Sequence, residues 1–207
     1  GIGSQIKAHI EKRFGLPFSP PAARMREYIL AVKAFFDCWQ NGSRLDFQGE
    51  YYRHTLMTSM FNPGPNPYGV PPILLGALGP MMTQVAGEVA DGLIIHPFNS
   101  VPFVQDHALP AVRKGLEKSG RREEDFIIQV NAIVITGETD AAYHAAEQSV
   151  KGLLGFYAST PAYLPPMDAV GLGDLQPKLN ALSKEGKWEQ LGDYINDEFL
   201  DAFCIRG

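Results

Sequence analysis

Several features that would point directly to a function are missing from this sequence. No run of about 18 apolar residues is present, so the sequence offers no candidate membrane span. The first residues, GIGSQIKAHIEKR, lack the apolar segment of a signal peptide. Only two cysteines occur, Cys38 and Cys204, far apart and without a CxxC spacing, which fits free thiols in a reducing cytoplasm. A net charge of −5 disfavours a nucleic-acid binder, whose surface must neutralise phosphates.

The common catalytic signatures are absent as well. Neither HxH nor HExxH spacing occurs, so we predict no metal site. There is no G-x-S-x-G, no P-loop and no G-x-G-x-x-G followed by an acidic residue. These absences weaken the hydrolase, kinase and Rossmann-dehydrogenase interpretations.

What is present is an alternation of apolar strands and amphipathic helices. The strands are predicted at 73–78, 93–96 and 126–136, and a strand end at 1–5. Helices are predicted at 6–14, 21–40, 80 to about 89, 101–118 and 140–154, and the remainder is expected to be helical. A repeated β-α order predicts an α/β protein with a parallel sheet or barrel. The stretch 61–72, with five prolines and two glycines, is predicted to be an irregular loop, serving as a lid, a dimer contact or a rigid connector.

The most informative segment is PPILLGALGPMMTQVAGEVADGLIIHPF, which runs from Pro72 to Phe98. Its turn, Gly76-Ala77-Leu78-Gly79-Pro80, lies where a strand passes into a helix. Backbone N–H groups and the positive end of the helix dipole converge there and favour an anion, so we predict a phosphate site in which Met81 and Met82 contribute amides or an apolar wall. The alternative is a tight turn without a ligand.

His96 ends the next strand, so in a barrel it would lie at the active-site mouth. It is therefore a candidate catalytic or substrate-orienting residue. The alternative is a structural histidine. Glu88 and Asp91 lie in a helix-to-strand turn, where a role in stability is expected. The segment around Tyr157 and Thr160 is predicted to cap a helix that has Pro161 just inside it. A contribution of that segment to a substrate pocket is the alternative.

Four segments resemble one family: GIGSQIKAHIEKRFG, FQGEYY, LLGALGPMMTQVAGEVADGLIIHPF and FYASTPAY. They are similar to bacterial luciferase-like monooxygenases, and more closely to the branch of oxidoreductases that depend on the deazaflavin coenzyme F-420. The resemblance implies a (β/α)8 TIM-type barrel in a homodimer, with F-420, or alternatively FMN, at the C-terminal ends of the strands. Because a complete barrel needs about 250 residues, residues 1–207 are expected to form a single partial barrel domain without its N-terminal strands.

The resemblance also implies a second group of cofactor-binding residues, Gly3, Ser4 and Gln5, at a strand end. Many deazaflavin relatives carry Glu at the position of Ile6 and Asn at the position of His9, and this chain departs from both. His9 is then a candidate acid or base, because histidine titrates near neutral pH. A solvated helix residue is the alternative.

Two functional hypotheses follow. In the first, the chain is a cytoplasmic oxidoreductase that moves a hydride between the reduced cofactor and a small organic substrate. In the second, it is a truncated and inactive barrel that binds flavin or has a structural role, and it self-associates through open strand edges.

Overall fold

The computed structural model describes residues 1–207. Its eight α-helices are α1 Pro21–Asn41, α2 Pro80–Val89, α3 Val101–Phe103, α4 Leu109–Ser119, α5 Asp140–Ala158, α6 Leu164–Asp168, α7 Gln176–Lys184 and α8 Asp197–Phe203. Its seven strands are β1 Phe47–Gln48, β2 Arg53–His54, β3 Leu74–Ala77, β4 Gly92–Ile95, β5 Ile127–Val130, β6 Ile133–Ile135 and β7 Cys204–Arg206. Short 3-10 or π-helical turns lie at His9–Arg13, Ser59–Phe61, Val104–Ala108, Glu123–Asp125, Pro161–Tyr163, Gly173–Leu175 and Trp188–Tyr194. No helix combines the length and apolarity that a membrane span requires.

The chain folds as an α/β protein and divides into two compact units. The first consists of Gly1–Ile94 and Ala111–Gln129, and the second of Ile95–Pro110 and Val130–Gly207. The arrangement of these residues as one partial barrel domain stays a prediction.

The long helix of the first unit, α1, begins and ends at residues that favour helix ends. Pro21 occupies the first turn of α1, where its missing N–H costs nothing. Gly42 ends the helix in the left-handed region at φ 72°, and its N–H donates to Cys38 C=O. The four-residue step between Met25 and Ile29 predicts that they share the inner face of the helix, and both are buried.

The main sheet of the first unit has the order β3-β4-β5, and Ile2 adds to it beside β3. Ile2 pairs with Leu75 in parallel: Ile2 N–H donates to Leu74 C=O at 2.9 Å and Gly76 N–H to Ile2 C=O at 2.8 Å. The predicted strand end at 1–5 is thus confirmed, and it lies next to the strand that carries the glycine turn.

Ion pairs hold the helix-to-strand turn after α2. Glu88 is 8% exposed and accepts from Arg26 at 2.6 Å and from Lys118 at 2.9 Å, while Lys33 donates to Asp91 at 2.7 Å. Burial acts to raise the pKa of Glu88, but the hydrogen bonds from Lys118 and Arg26 outweigh it and hold that pKa below its usual value. These contacts support the structural role predicted for Glu88 and Asp91.

Helices α2 and α4 approach each other through two glycines. A Cβ atom on Gly87 would lie 2.2 Å from Val112 O, and one on Gly115 would lie 2.1 Å from Gln84 O. Only glycine permits this backbone contact.

The second unit is built around α5. Thr139, in the turn before the helix, caps it by accepting from Ala142 N–H. The helix packs on a core that includes Phe98, Leu154 and Phe199, and β6 pairs in parallel with β7.

Three predictions about elements are wrong. The single strand at 126–136 is two strands, because β5 joins the sheet of β4 while β6 turns to β7 and buries Ile133 and Ile135. The C-terminal β7 was expected to be helical, yet its residues pair with β6. The apolar spacing of α2 predicts Met81 on its inner face, yet Met81 is 71% exposed, because it lies in the first turn, ahead of the residues that pack inward.

Candidate functional site

The glycine turn joins β3 to α2 and leaves the start of the helix uncapped. Gly79 is the N-cap residue, and no side chain accepts from the first amides of α2. The first backbone hydrogen bond of the helix runs from Thr83 N–H to Gly79 C=O at 3.0 Å. The amides of Met81 and Met82 precede that bond and have no acceptor inside the helix. Gly79, Pro80 and Met81 are exposed, so an anion can reach these amides from solvent.

Gly79 itself leaves room at the turn. Its backbone angles, φ −70° and ψ 148°, are open to any residue, and a Cβ atom placed there would meet nothing within 4 Å. The protein therefore has no packing reason for glycine at this position, whereas close approach of a ligand would be one.

The second predicted group lies at the neighbouring strand end. Because Ile2 and Leu75 pair in parallel, Gly3 and Gly76 each follow a paired residue toward the same edge of the sheet. In open α/β sheets, ligands bind outside the carboxyl ends of adjacent strands. The structure thus brings the two predicted cofactor-binding groups to one edge.

Gln5 and His9 form a small unit directly after Ser4. Gln5 is the only non-glycine residue with a positive φ, at 58°. Such a conformation is strained, and strain of this kind is concentrated at functional sites. The Gln5 side chain lies 3.2 Å from His9, joining its Oε1 atom to Nδ1 of the ring.

A cavity of about 360 Å³ opens beside this strand end. Its wall includes Gly3 and Ser4, the connector residues Leu16 to Ser19 and, from α1, Arg24. Arg24 donates to Tyr52 Oη at 3.0 Å and to Ser19 Oγ at 3.2 Å. It has no carboxylate partner among residues 1–207, so its charge is available to an anionic ligand.

His96 belongs to the second unit, where it is half-buried and follows the last residue of β4. Its Nδ1 atom accepts from Phe98 N–H at 3.1 Å, and its Nε2 atom lies 3.0 Å from Tyr163 Oη. The His96 ring is tilted against Tyr163 at 4.7 Å and lies edge-on to Tyr157 at 4.9 Å. Burial lowers the pKa of His96.

Sequence reasoning missed Tyr163 as a partner of His96. The available signal was the segment FYASTPAY, which carries both Tyr157 and Tyr163. Thr160 precedes the short Pro161–Tyr163 3-10 turn with Pro161 at its first residue, as predicted, but its side chain makes no capping hydrogen bond. Ser159 has a structural role, because its backbone C=O accepts from Gln176 and Asn180.

The two cysteines and the other titratable residues form no metal centre in residues 1–207. No group of three or more His, Cys, Asp or Glu side chains is placed to hold an ion. Cys38 is buried and Cys204 half-buried, and both are free thiols. Burial raises the pKa of Cys204 to about 11, which makes it a poor nucleophile at neutral pH.

Several known proteins are similar to this chain in sequence. It is 45% identical over all 207 residues to an uncharacterized protein of Mycobacterium tuberculosis, of which it covers 61%. It is 26% identical to the 5,10-methylenetetrahydromethanopterin reductase of Archaeoglobus fulgidus, with 100% of this chain and 59% of that protein aligned. An F420-dependent glucose-6-phosphate dehydrogenase of Nakamurella multipartita is 38% identical over 126 residues, which are 61% of this chain and 35% of that protein.

A solved structure is similar in fold. The coenzyme F420 dependent tetrahydromethanopterin reductase of Methanopyrus kandleri matches with a TM-score of 0.71 at 19% identity, over 98% of this chain and 59% of that one. The chain spans about three fifths of the length of the full-length curated matches. The model of the luciferase-like monooxygenase family matches residues 1–207 throughout. This chain therefore belongs to the luciferase-like monooxygenase family.

Proposed function

We propose that this chain is the cofactor-binding part of an oxidoreductase that uses coenzyme F-420, with FMN as the alternative. The observation that carries the proposal is the shared strand edge of the first unit. There, Gly3, Ser4 and Gln5 follow Ile2, while Gly76 and Ala77 end the parallel neighbour β3 and Leu78 to Met82 follow it. The names of several relatives, which include F420-dependent enzymes, support this choice of cofactor.

The residues present fit an anionic cofactor tail. The uncapped amides of Met81 and Met82 and the open space at Gly79 suit a phosphate, which the positive end of the α2 dipole stabilises. Arg24 supplies a full positive charge at the cavity beside Gly3 and Ser4. When bound, reduced F-420 or FMN supplies a hydride, which this chain has no group of its own to provide.

The chain's own candidates for proton chemistry are His9 and His96. His9 neighbours the strained Gln5, and His96 is neutral near pH 7 because burial lowers its pKa. From the family resemblance, we further propose that the substrate is a small organic molecule and that the protein is a homodimer.

Binding and turnover test the proposal directly. Reduced F-420 and FMNH2 are titrated separately into the protein by fluorescence, and oxidation of each is followed by absorbance with a panel of carbonyl and quinone acceptors. Saturable binding of one cofactor with its oxidation by an acceptor is the expected result. Absence of binding by both would remove the redox assignment for this chain.

A second candidate function has one specific observation in its favour. All four residues of β5 are exposed, and β5 is the outer strand of its sheet. Exposed apolar strand edges promote association, so a flavin-binding or structural protein that self-associates is the alternative. Cofactor binding without turnover, together with a mass above that of one chain in light scattering, would favour it.

A further inference from the structure

The cavity beside Gly3 and Ser4 has one charged side chain in its wall, and that charge is positive. Arg24 provides it, and no Asp or Glu side chain lines the cavity. Most of the remaining wall is apolar and includes Phe18 and Met25. The cavity volume of about 360 Å³ falls within the range of about 300–1,000 Å³ that is typical of small-molecule pockets. Every residue of the wall belongs to the first unit, so the site lies within one compact unit.

Arg24 is held in place by neutral groups. Its Nε–H donates to Tyr52 Oη at 3.0 Å and its Nη1 to Ser19 Oγ at 3.2 Å. The guanidinium also lies 5.7 Å from the centre of the Tyr52 ring. The two hydrogen bonds use one donor each, which leaves both donors of Nη2 and the second donor of Nη1 for a ligand. Because neither partner is charged, the positive charge is oriented but not neutralised.

The two hydroxyl groups that hold Arg24 add further donors. Each hydroxyl oxygen accepts from the guanidinium, so its own proton points away from Arg24. Neither Tyr52 nor Ser19 donates that proton to another residue of the chain. Both residues line the cavity, and both hydroxyl groups can therefore donate to an anion that Arg24 binds.

The hairpin that carries Tyr52 is fastened to α1 by Glu27. Its carboxylate accepts from the N–H groups of Glu50, Tyr51 and Tyr52 at 2.9, 2.7 and 2.6 Å. Both carboxylate oxygens are engaged by these amides, so Glu27 forms no ion pair with Arg24, one helical turn earlier. The donors around Arg24 are thus positioned before a ligand arrives, which reduces the entropy lost on binding.

We propose that this cavity binds the carboxylate of an organic acid whose apolar body fills the space between α1 and the connector at 16–19. The planar guanidinium suits a carboxylate, because two parallel N–H donors meet its two oxygens. No residue of the glycine turn lines the cavity, so a phosphate on the α2 amides leaves Arg24 for a second anion. The inference rests on the proposed function in one respect, namely that this acid is the substrate.

Direct binding tests the cavity without a cofactor. Benzoate, phenylacetate and 3-phenylpropionate are titrated into the protein by calorimetry, and the corresponding amides serve as uncharged probes of nearly the same shape. We expect at least one acid to bind about tenfold or more tightly than its amide, the difference that a hydrogen bond to a charged group supplies. Equal binding of acids and amides, or binding of none of them, would overturn the carboxylate site.

Arg24→Gln should remove this preference, and Arg53→Gln is the matched control. Arg53 makes no side-chain hydrogen bond or ion pair and does not line the cavity, so its variant loses a positive charge of the same unit outside the site. Arg24→Gln should weaken binding of the acid by about tenfold or more. Arg53→Gln should change it by less than about twofold, because salt screens a charge outside the cavity. Equal losses in the two variants would refute the role of Arg24.

Tyr52→Phe keeps the ring and removes only the hydroxyl group, so it tests the site even if Arg24→Gln does not fold. We expect it to weaken binding of the acid by about threefold to tenfold, the effect of one neutral hydrogen bond. An acid that binds Tyr52→Phe as tightly as the wild type would overturn the arrangement of donors. Thermal melts of every variant check that the fold is retained.

Titration with F-420 decides which molecule carries the carboxylate. Arg24→Gln should change the Kd of F-420 no more than Arg53→Gln does. A selective loss of F-420 affinity in Arg24→Gln would assign the cavity to the cofactor and overturn the substrate assignment. A wild type that binds the acid but neither F-420 nor FMN would refute the proposed function and the substrate assignment, whereas the carboxylate site itself would stand.

Discussion

Gly79→Ala separates a phosphate-binding turn from a turn that is only architectural. The backbone at Gly79 suits alanine, and the added methyl group meets no protein atom within 4 Å. Replacing glycine where the conformation is compatible stabilises by about 0.4–1 kcal/mol through the unfolded state. Alanine is a poorer N-cap than glycine by a comparable amount. The two effects nearly cancel, so we expect the melting temperature to change by less than about 4 °C.

Cofactor binding should respond far more strongly. If the turn binds a phosphate as proposed, a methyl group at Gly79 should hinder the approach of that phosphate to the amides of Met81 and Met82. Loss of one hydrogen bond to a charged group costs about 1.5–3 kcal/mol, which is roughly a 10- to 150-fold increase in Kd. Fluorescence titration with F-420 measures the Kd, and a thermal melt of the same sample measures stability.

Gly152→Ala is the matched control. Gly152 is exposed within α5, and a Cβ atom there also meets nothing within 4 Å. This variant should gain about 0.5–1 kcal/mol of stability from helix propensity and keep the wild-type Kd. If Gly79→Ala bound F-420 as tightly as the wild type does, the phosphate assignment would be refuted.

Three further substitutions test the packing that supports the site. Glu88→Gln should lower the free energy of unfolding by about 1–2 kcal/mol at pH 7, a modest loss because Arg26 and Lys118 can turn to water. The folded state holds the pKa of Glu88 below its usual value. The stabilisation by the carboxylate is therefore complete above the unfolded pKa of about 4.3, and it is lost as pH falls through the lower folded pKa. Urea unfolding of both proteins should therefore show their difference shrinking in acid, and a constant difference would contradict the ion-pair account. Gly115→Ala places a Cβ 2.1 Å from a backbone oxygen and should lower the free energy of unfolding by about 1–3 kcal/mol, measured as a lower urea midpoint. An unchanged midpoint would mean that α2 and α4 are less closely packed. Phe98→Ala removes a ring that is 0% exposed and should cost about 3–5 kcal/mol in thermal unfolding, and a loss below about 1 kcal/mol would contradict its place in the core.

The elements that sequence predicted best carry their own start and stop signals. Pro21 and Gly42 delimit α1, Pro80 opens α2 and Thr139 caps α5, and each signal acts within a few residues. The strand at 126–136 failed because an unbroken apolar run contains no information about strand partners. Its two halves pair with strands that lie far apart in the chain.

In the candidate site, too, the sequence predicts some features and not others. The glycine turn was predictable because its chemistry is local, a property of one strand-to-helix junction. The strained backbone of Gln5 was not, since nothing in GIGSQIKAHIE marks a positive φ at a glutamine. The pairing of Ile2 with Leu75, which brings Gly3 and Gly76 to one edge, depends on contacts between residues more than 70 positions apart.

The chemistry of His96 shows most clearly why such sites resist prediction. Its contact with Phe98 spans two residues and follows from the way the chain turns after β4. That local contact occupies Nδ1, but it leaves open the partner of Nε2. The partner, Tyr163, is 67 residues away and is held there by the short turn that starts at Pro161. A sequence can therefore nominate His96, whereas the residue that pairs with its second ring nitrogen is determined by tertiary packing.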